Sequence, residues 1–323
     1  METISVIIPA YNAEATIVRA CRSVLEQSHK NVELLVVNDG SRDGTGAALD
    51  ALAAQDSRLK CIHKENGGVS AARNSALEVM TGEYFTFLDS DDEMEPGALE
   101  SLLLTARETG ADVVCGSFSS VKPDGTVLTH HYVEGEMVIW TELEMLEKAL
   151  KDDPATWAVW GKLYRTRSLG SVRFEPGKNI HEDGYYLFEV ALCRPNMVVT
   201  DIPVLRYSLR ARIAAKEPYS EKFLSIRYFS DKKYEKIKEL YPQFLPLAEN
   251  IRIKGCLALI NSMRLVKGPE ARQQERLAAA FIRSHARYFI PESRGNHITF
   301  WAARLGLLPV NRFLYSLYAR ISG

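Results

Sequence analysis

From Ser5 to Cys115, short apolar runs alternate with helical patterns, and this alternation is what most restricts the fold of the chain. Ser5 to Ile8, Val32 to Val37, Leu59 to His63, Tyr84 to Leu88 and Asp112 to Cys115 read as strands. Ala13 to Gln27, Gly44 to Ala54, Ser70 to Met80 and Pro96 to Thr109 read as the helices between them. The pattern predicts an α/β fold, a Rossmann-like and mostly parallel sheet covered on both faces by helices. Ligands of such sheets sit beyond the carboxyl ends of the strands, so the polar turns there are the candidates for chemistry.

After residue 116 the alternation weakens. Lys122-Pro123-Asp124-Gly125 signals a turn, Thr141 to Lys151 a helix, and Met197 to Tyr207 two strands split at Asp201-Ile202-Pro203. Helical patterns then dominate in Glu221 to Leu240, Leu247 to Val266 and Pro269 to Tyr288, which places a boundary near Arg212. Charge divides similarly: residues 1–204 carry 18 Lys+Arg against 32 Asp+Glu, and residues 205–323 carry 22 against 9. A basic second half suggests an anionic contact, whereas the acidic first half would repel a nucleic-acid backbone. The five cysteines are widely spaced with no C-x-x-C pair, so neither a zinc site nor a disulfide framework is indicated, and a cytoplasmic setting is expected. The start of the sequence reads as a strand rather than a signal peptide, and no stretch approaches a membrane-spanning length.

Leu88-Asp89-Ser90-Asp91-Asp92 ends the aromatic run Tyr84-Phe85-Thr86-Phe87 with three carboxylates. Residues two apart in extended chain point the same way, so Asp89 and Asp91 can face one ion. Such oxygens select Mg2+ or Mn2+, ions commonly shared with substrate phosphates. The alternative is that the acids only begin the next helix at Glu95-Pro96, which is the reading preferred for Asp92.

Other strand ends add to this. Pro9-Ala10-Tyr11-Asn12-Ala13-Glu14 offers a ring for a nucleobase, or a capping turn built on Asn12. Asp39, in Asn38-Asp39-Gly40-Ser41, could accept the imide N–H of uracil or thymine, while Asp43 reads as a helix cap. Gly67-Gly68-Val69-Ser70-Ala71-Ala72-Arg73-Asn74 joins small residues to an Arg suited to diphosphate oxygens. Neither a P-loop nor a G-x-G-x-x-G turn is present.

Val6-Ile7-Ile8-Pro9-Ala10-Tyr11-Asn12, Val36-Val37-Asn38-Asp39-Gly40-Ser41, Ser70-Ala71-Ala72-Arg73-Asn74, Asp89-Ser90-Asp91-Asp92, Trp160-Gly161-Lys162-Leu163-Tyr164 and His181-Glu182-Asp183 occur in that order. Together they resemble the inverting family 2 glycosyltransferases of the GT-A fold, the type that builds bacterial cell-surface polysaccharide, over about residues 1–207. The resemblance implies a catalytic domain over residues 1–212 that moves a hexose or N-acetylhexosamine from a UDP-sugar with Mn2+ or Mg2+. It implies that Asp39 binds uracil, that Pro9, Tyr11 and Glu14 line the nucleotide, and that Arg73 contacts nucleotide or diphosphate. Asp89 and Asp91 match the DxD motif, Asp91 as direct ligand and Asp89 toward the ribose and the metal's water shell. Asp183 matches the catalytic base. An ordinary Asp, with pKa about 3.9, is ionised at neutral pH and ready for that role.

Residue by residue, alternatives stand beside these roles. Asp183 could cap the helix that follows, and Glu182 is a second candidate base. Trp157 and Trp160 could wall a sugar site or belong to the core. Lys162 could touch the donor or be solvated, and His181 could support base or metal, while His63 and the other histidines show no ligand spacing. At Arg206 to Arg212 the pattern departs from relatives, because Ile213-Ala214-Ala215 replaces the usual polar loop.

Residues 213–323 form the expected helical extension. Residues 297–323 read as two amphipathic helices broken at Gly306 to Pro309, with Phe300, Trp301, Leu305, Phe313, Leu314, Leu317, Tyr318 and Ile321 as their stripe. Arg304, Arg312 and Arg320 fit an anionic membrane surface and hence a lipid-linked acceptor; packing on the protein's own core is the other reading. A different class of function, a catalytically silent nucleotide-sugar module whose tail recruits a partner, is separated from the enzyme by metal-dependent UDP release with turnover.

Overall fold

The computed structural model describes all residues except 1, 123–124, 132–136, 179, 210–222, 265, 267, 292–293 and 322–323, and it leaves aside the side chains of 294, 314 and 316–321. Pro123, Asp124, Arg210, Arg212, Ile213-Ala214-Ala215 and Glu221, and the side chains of Leu314, Leu317, Tyr318, Arg320 and Ile321, therefore lie outside the description. The chain divides into two compact units, Met1–Arg212 and Ile213–Gly323.

In the first unit, β1 (Ile4–Ala10) and β2 (Val32–Asp39) are buried along their whole length, as parallel strands with helices on both faces must be. They pair in parallel with each other, β2 with β3 (Leu59–Lys64), and β1 with β4 (Tyr84–Phe87). The crossovers are α1 (Ile17–Leu25), α2 (Thr45–Ala53) and α3 (Val69–Val79). Helix α1 buries Ile17, Ala20, Cys21 and Val24, one stripe at spacings of three and four. Burying a side chain such as Ile17 or Val24 contributes about 1.5–3 kcal/mol.

Beyond β4 the sheet becomes mixed, where the alternation predicts a mostly parallel one. The added strands are β5 (Glu93–Met94), β6 (Val113–Val121), β7 (Val127–His131), β8 (Val138–Trp140), β9 (Lys162–Arg165) and β10 (Met197–Ser208). The order is β3-β2-β1-β4-β9-β6-β10-β5, with β7 on β6 and β8 on β10. Strand β9 enters antiparallel between β4 and β6, while β6 and β10 are parallel. The two strands expected over Met197 to Tyr207 are one strand whose register shifts at Pro203, a residue with no N–H for the ladder. Helices α4 (Ala98–Thr109), α5 (Glu142–Leu150), α6 (Thr166–Leu169) and α7 (Glu182–Leu192) complete the unit.

The second unit is helical: α8 (Leu224–Leu240), α9 (Leu245–Ser262), α10 (Pro269–His285), α11 (Arg294–Arg304) and α12 (Leu308–Ile321). Its core joins Ile253, Leu257 and Ile260 to Ala278, Ile282, Phe300 and Ala303. Phe300, stacked on Phe289 at 3.9 Å, belongs to this core. Trp301 of the same helix and Leu305 just past its end stay exposed, so the predicted stripe divides between two environments.

Candidate active site

Parallel pairing of β1, β2 and β4 brings their carboxyl ends to one sheet edge, and with them Tyr11, Asp39 and Asp89. The antiparallel β9 starts at that edge, because Tyr84 and Phe85 lie opposite Arg165 and Tyr164, so the segment before Lys162 arrives there too.

Arg73 of α3 joins the parts. Its guanidinium donates to Asp183 Oδ1 at 2.6 Å and to Asp89 Oδ1 at 2.9 Å, and Glu182 Oε1 lies 3.8 Å away. Phe174 and Phe87 lie beneath it, 5.1 and 6.0 Å from ring centroid to Cζ. At 2% exposure the Arg73 side chain, for which a nucleotide or diphosphate contact is expected, faces inward and holds two carboxylates together. Burial alone would push its pKa down, but Asp183 and Asp89 raise it above the usual guanidinium range.

Asp183 sits in the first turn of α7, where a carboxylate is favoured by the exposed N–H groups. It does not cap that helix. His181 holds the capping position with φ 67° and without a capping side chain, and Asp183 turns to Arg73 and to the Val159 N–H, 3.4 Å from Oδ2. Burial and the nearby Asp89 raise its pKa, with Arg73 opposing them, so the ordinary Asp value expected from sequence does not hold. Burial, with Asp183 beside it, lifts Glu182 to about 7.

The motif Trp160-Gly161-Lys162-Leu163-Tyr164 braces the segment that contacts Asp183. Lys162 is buried and its ammonium donates to the Ala158 and Trp160 carbonyls at 2.7 and 3.4 Å, while the Tyr164 hydroxyl donates to the Val159 carbonyl at 2.8 Å. A solvated Lys162 does not match this placement. Trp160 packs against Phe118 and stacks on Tyr207, centroids 4.9 and 5.5 Å away, as part of the core margin. Trp157, by contrast, is 60% exposed, its indole N–H fixed on the Asp152 carbonyl at 2.9 Å.

Asp39, expected to bind the nucleotide, is buried at the end of β2 against the turn before α3. Oδ1 accepts from Lys64 Nζ at 2.7 Å and the Gly67 N–H at 2.9 Å, and Oδ2 from the Gly68 N–H at 2.8 Å. Gly68, with φ 85°, lets these successive N–H groups converge. Oδ2 thus retains acceptor capacity. Pro9 is buried in β1 opposite Val37, and Tyr11 is 49% exposed just beyond it. Glu14 accepts the Gly44 N–H at 3.0 Å, and Asn12 accepts the Arg42 N–H at 2.9 Å, so both lace the first turn to the second; Asn12 does not cap α1. Asp43 accepts the Thr45 N–H and hydroxyl at 3.1 and 2.6 Å, but Gly44 rather than Asp43 holds the capping position of α2.

Asp89 and Asp91, both half-buried, are the carboxylates placed to hold a cation. Asp89, Glu182 and Asp183 surround the buried Arg73, and Asp91 and Asp92 follow Asp89 in the same turn; burial, with Asp89 adding to it, raises the pKa of Asp92, Glu182 and Asp183. That excess negative charge and all-oxygen donor set fit a hard divalent ion. Asp92 is a correction: α4 starts five residues after the Asp91-Asp92 step, at Gly97-Ala98, and Asp92 caps nothing there. Its buried carboxyl accepts the Ser208 N–H at 2.8 Å and ties the acidic turn to the end of β10; burial lifts its pKa to about 8.

The glycosyl transferase family 2 model matches residues 5–165. Through this segment the chain belongs to glycosyl transferase family 2. The glycosyltransferase GlyA of Streptococcus pneumoniae serotype 4 is 33% identical over 215 residues, covering 65% of this chain and 31% of GlyA. GlyG of the same organism is 37% identical over 148 residues, 45% of this chain and 48% of GlyG, so the match spans less than half of either relative. The crystal structure of S. aureus TarS 1-349 in complex with UDP-GlcNAc superposes with a TM-score of 0.72 at 20% identity, over 98% of this chain and 92% of that one. The fold shared with that structure is GT-A: a central mixed sheet flanked by helices, with a helical carboxyl-terminal region.

One group in this family 2 chain escaped the sequence reading. Asp50, Cys61 and His63 bring ligand atoms within 4.8 Å of one another. The i, i+2 pair on β3 was legible; the α2 residue facing it was not. Asn38 Oδ1 accepts the Ser41 N–H, which turns the Asn38 amide N–H toward His63 Nδ1 at 3.0 Å. This network assigns the ring proton to Nε2, which donates to Asp50 at 2.9 Å, so a metal on Nε2 would set Nδ1–H against a donor.

Proposed function

We propose that this protein is a metal-dependent, inverting glycosyltransferase that moves a hexose or N-acetylhexosamine from a UDP-sugar to a glycan or lipid-linked acceptor, with Asp183 as general base. The observation that carries the reading is the Arg73 bridge, which ties the DxD residue Asp89 to Asp183, a residue 110 positions from Arg73 in sequence. Family 2 membership supports the reaction type, and the UDP-GlcNAc bound by TarS, a protein of the same fold, supports the donor class.

In this reading Asp39 Oδ2 accepts the uracil imide N–H beside the Tyr11 ring, and Asp91 with Asp89 would hold Mg2+ or Mn2+. The ion, when bound, supplies Lewis acidity and neutralises charge on the leaving UDP. Asp183 takes the acceptor hydroxyl proton on Oδ2, because Oδ1 is engaged by Arg73. The acceptor oxygen bonds to the anomeric carbon as the carbon–oxygen bond to UDP breaks, and the configuration inverts. A carboxylate with a raised pKa is the better proton acceptor while it remains ionised. Trp157, two residues before the Val159 N–H that braces the base, offers its face to an acceptor sugar ring.

A panel of UDP- and dTDP-sugars with Mn2+ or Mg2+, scored for nucleotide release and thermal shift, tests this. Metal-dependent UDP release with turnover is expected. Binding of UDP-sugars without any release over a range of glycan acceptors would favour the silent nucleotide-sugar module instead.

A further inference from the structure

The helical unit holds a basic pocket of about 360 Å³ between α10 and the α11–α12 corner. Arg272, Arg276, Arg283 and Arg312 line it with a single acid, Glu275. Glu275 is buried and pairs with Arg272 at 3.1 Å and with Arg312, which fixes two of the guanidinium groups without neutralising the set. Four arginines against one carboxylate leave a cavity suited to an anion that accepts several charge-assisted hydrogen bonds.

Gly306, Leu308 and Pro309 form part of the same lining. The neighbours of these residues in sequence point outward: Leu305, Leu307 and Val310 are 62%, 49% and 52% exposed, with Phe313 at 63% and Ile298 at 61% nearby on α12 and α11. Large apolar side chains exposed at one corner, around an arginine-lined cavity, match an interface that is apolar on one level and phosphate-bearing on the next. The composition agrees, since residues 213–323 carry 19 Lys+Arg against 9 Asp+Glu.

We infer that this corner docks on an anionic membrane surface, the apolar side chains entering the acyl boundary and the arginine pocket taking the phosphate of a lipid headgroup. No helix among the described residues is long and apolar enough to cross a membrane, so the contact is a surface one. It stands independently of the transfer chemistry, and soluble-acceptor turnover is its control.

Co-sedimentation of the full chain with phosphatidylglycerol-containing and pure phosphatidylcholine vesicles tests the inference. Binding should require the anionic lipid and weaken with salt. Arg276→Glu, at an exposed position, should lower the partition by about tenfold or more, and Leu305→Ser with Val310→Ser by a similar factor. The unfolding midpoint and turnover on a soluble acceptor should stay at wild-type values in these variants. Three results would overturn it: equal binding to both vesicles, anionic binding unchanged in both variants, or stabilisation by inorganic phosphate with no vesicle binding. Loss of the exposed apolar surface to self-association, seen by light scattering without vesicle binding, would assign the corner to a second copy instead.

Discussion

Asp89 and Asp183 share one guanidinium: Arg73 reaches the first at 2.9 Å and the second at 2.6 Å. The carboxylate assigned to the metal and the carboxylate assigned to proton transfer are thus fixed at a set separation by a residue that α3 delivers from below. A charge change at either end is felt at the other through Arg73.

Arg73→Met should therefore cost more than a surface arginine. Removing one partner of a buried ionic group leaves uncompensated charge, at about 3–5 kcal/mol. Denaturant unfolding should show that loss, and turnover should disappear. Arg73→Lys keeps the charge but reaches a single carboxylate, so it should recover part of the stability and little of the activity.

The two tryptophans separate. Trp157→Ala should leave the unfolding midpoint unchanged and raise the acceptor KM, with donor binding intact. Trp160→Ala removes a ring packed on Phe118 and Tyr207 and should lower stability by about 3–5 kcal/mol, the scale of an aromatic deletion from a core. Equal kinetic effects would remove the acceptor role of Trp157.

Glu182 gives a pH signature. Its pKa rises from the usual 4.5 to about 7 in the folded chain, so the folded state holds the proton more tightly. The associated stability is fully present below 4.5 and is lost as pH rises through about 7. Thermal unfolding of wild type against Glu182→Gln should show the variant gaining relative stability across that window; parallel curves would place Glu182 in solvent.

The first half of the fold was legible because α1 to α3 and β1 to β4 announce themselves by local periodicity. Strands β5 and β7 to β9 were not, since each is a short segment whose place is set by partners far away in sequence, as with β9 entering between β4 and β6. The motif residues came together at one edge as expected from strand direction. Their individual tasks were less visible: Arg73, Lys162 and Asp92 have the chemistry of ligand contacts, yet their burial gives them to Asp183, to the Ala158–Trp160 carbonyls and to Ser208. Burial of a charged side chain depends on long-range packing, which spacing alone does not report.

Asp91→Ala should weaken metal-dependent UDP binding and abolish turnover together. Calorimetric titration of UDP with and without Mn2+ separates the two effects. Metal-dependent binding at wild-type strength in this variant would move the cation to other ligands.

The most direct test is Asp183→Asn, followed by UDP titration and by product formation from the UDP-sugar and acceptor that the wild type uses. The variant keeps the hydrogen-bonding shape beside Arg73 and loses the proton acceptor. UDP affinity near wild type with transfer reduced by about 10²–10⁴ is the result expected of a general base. Transfer at the wild-type rate would contradict the account.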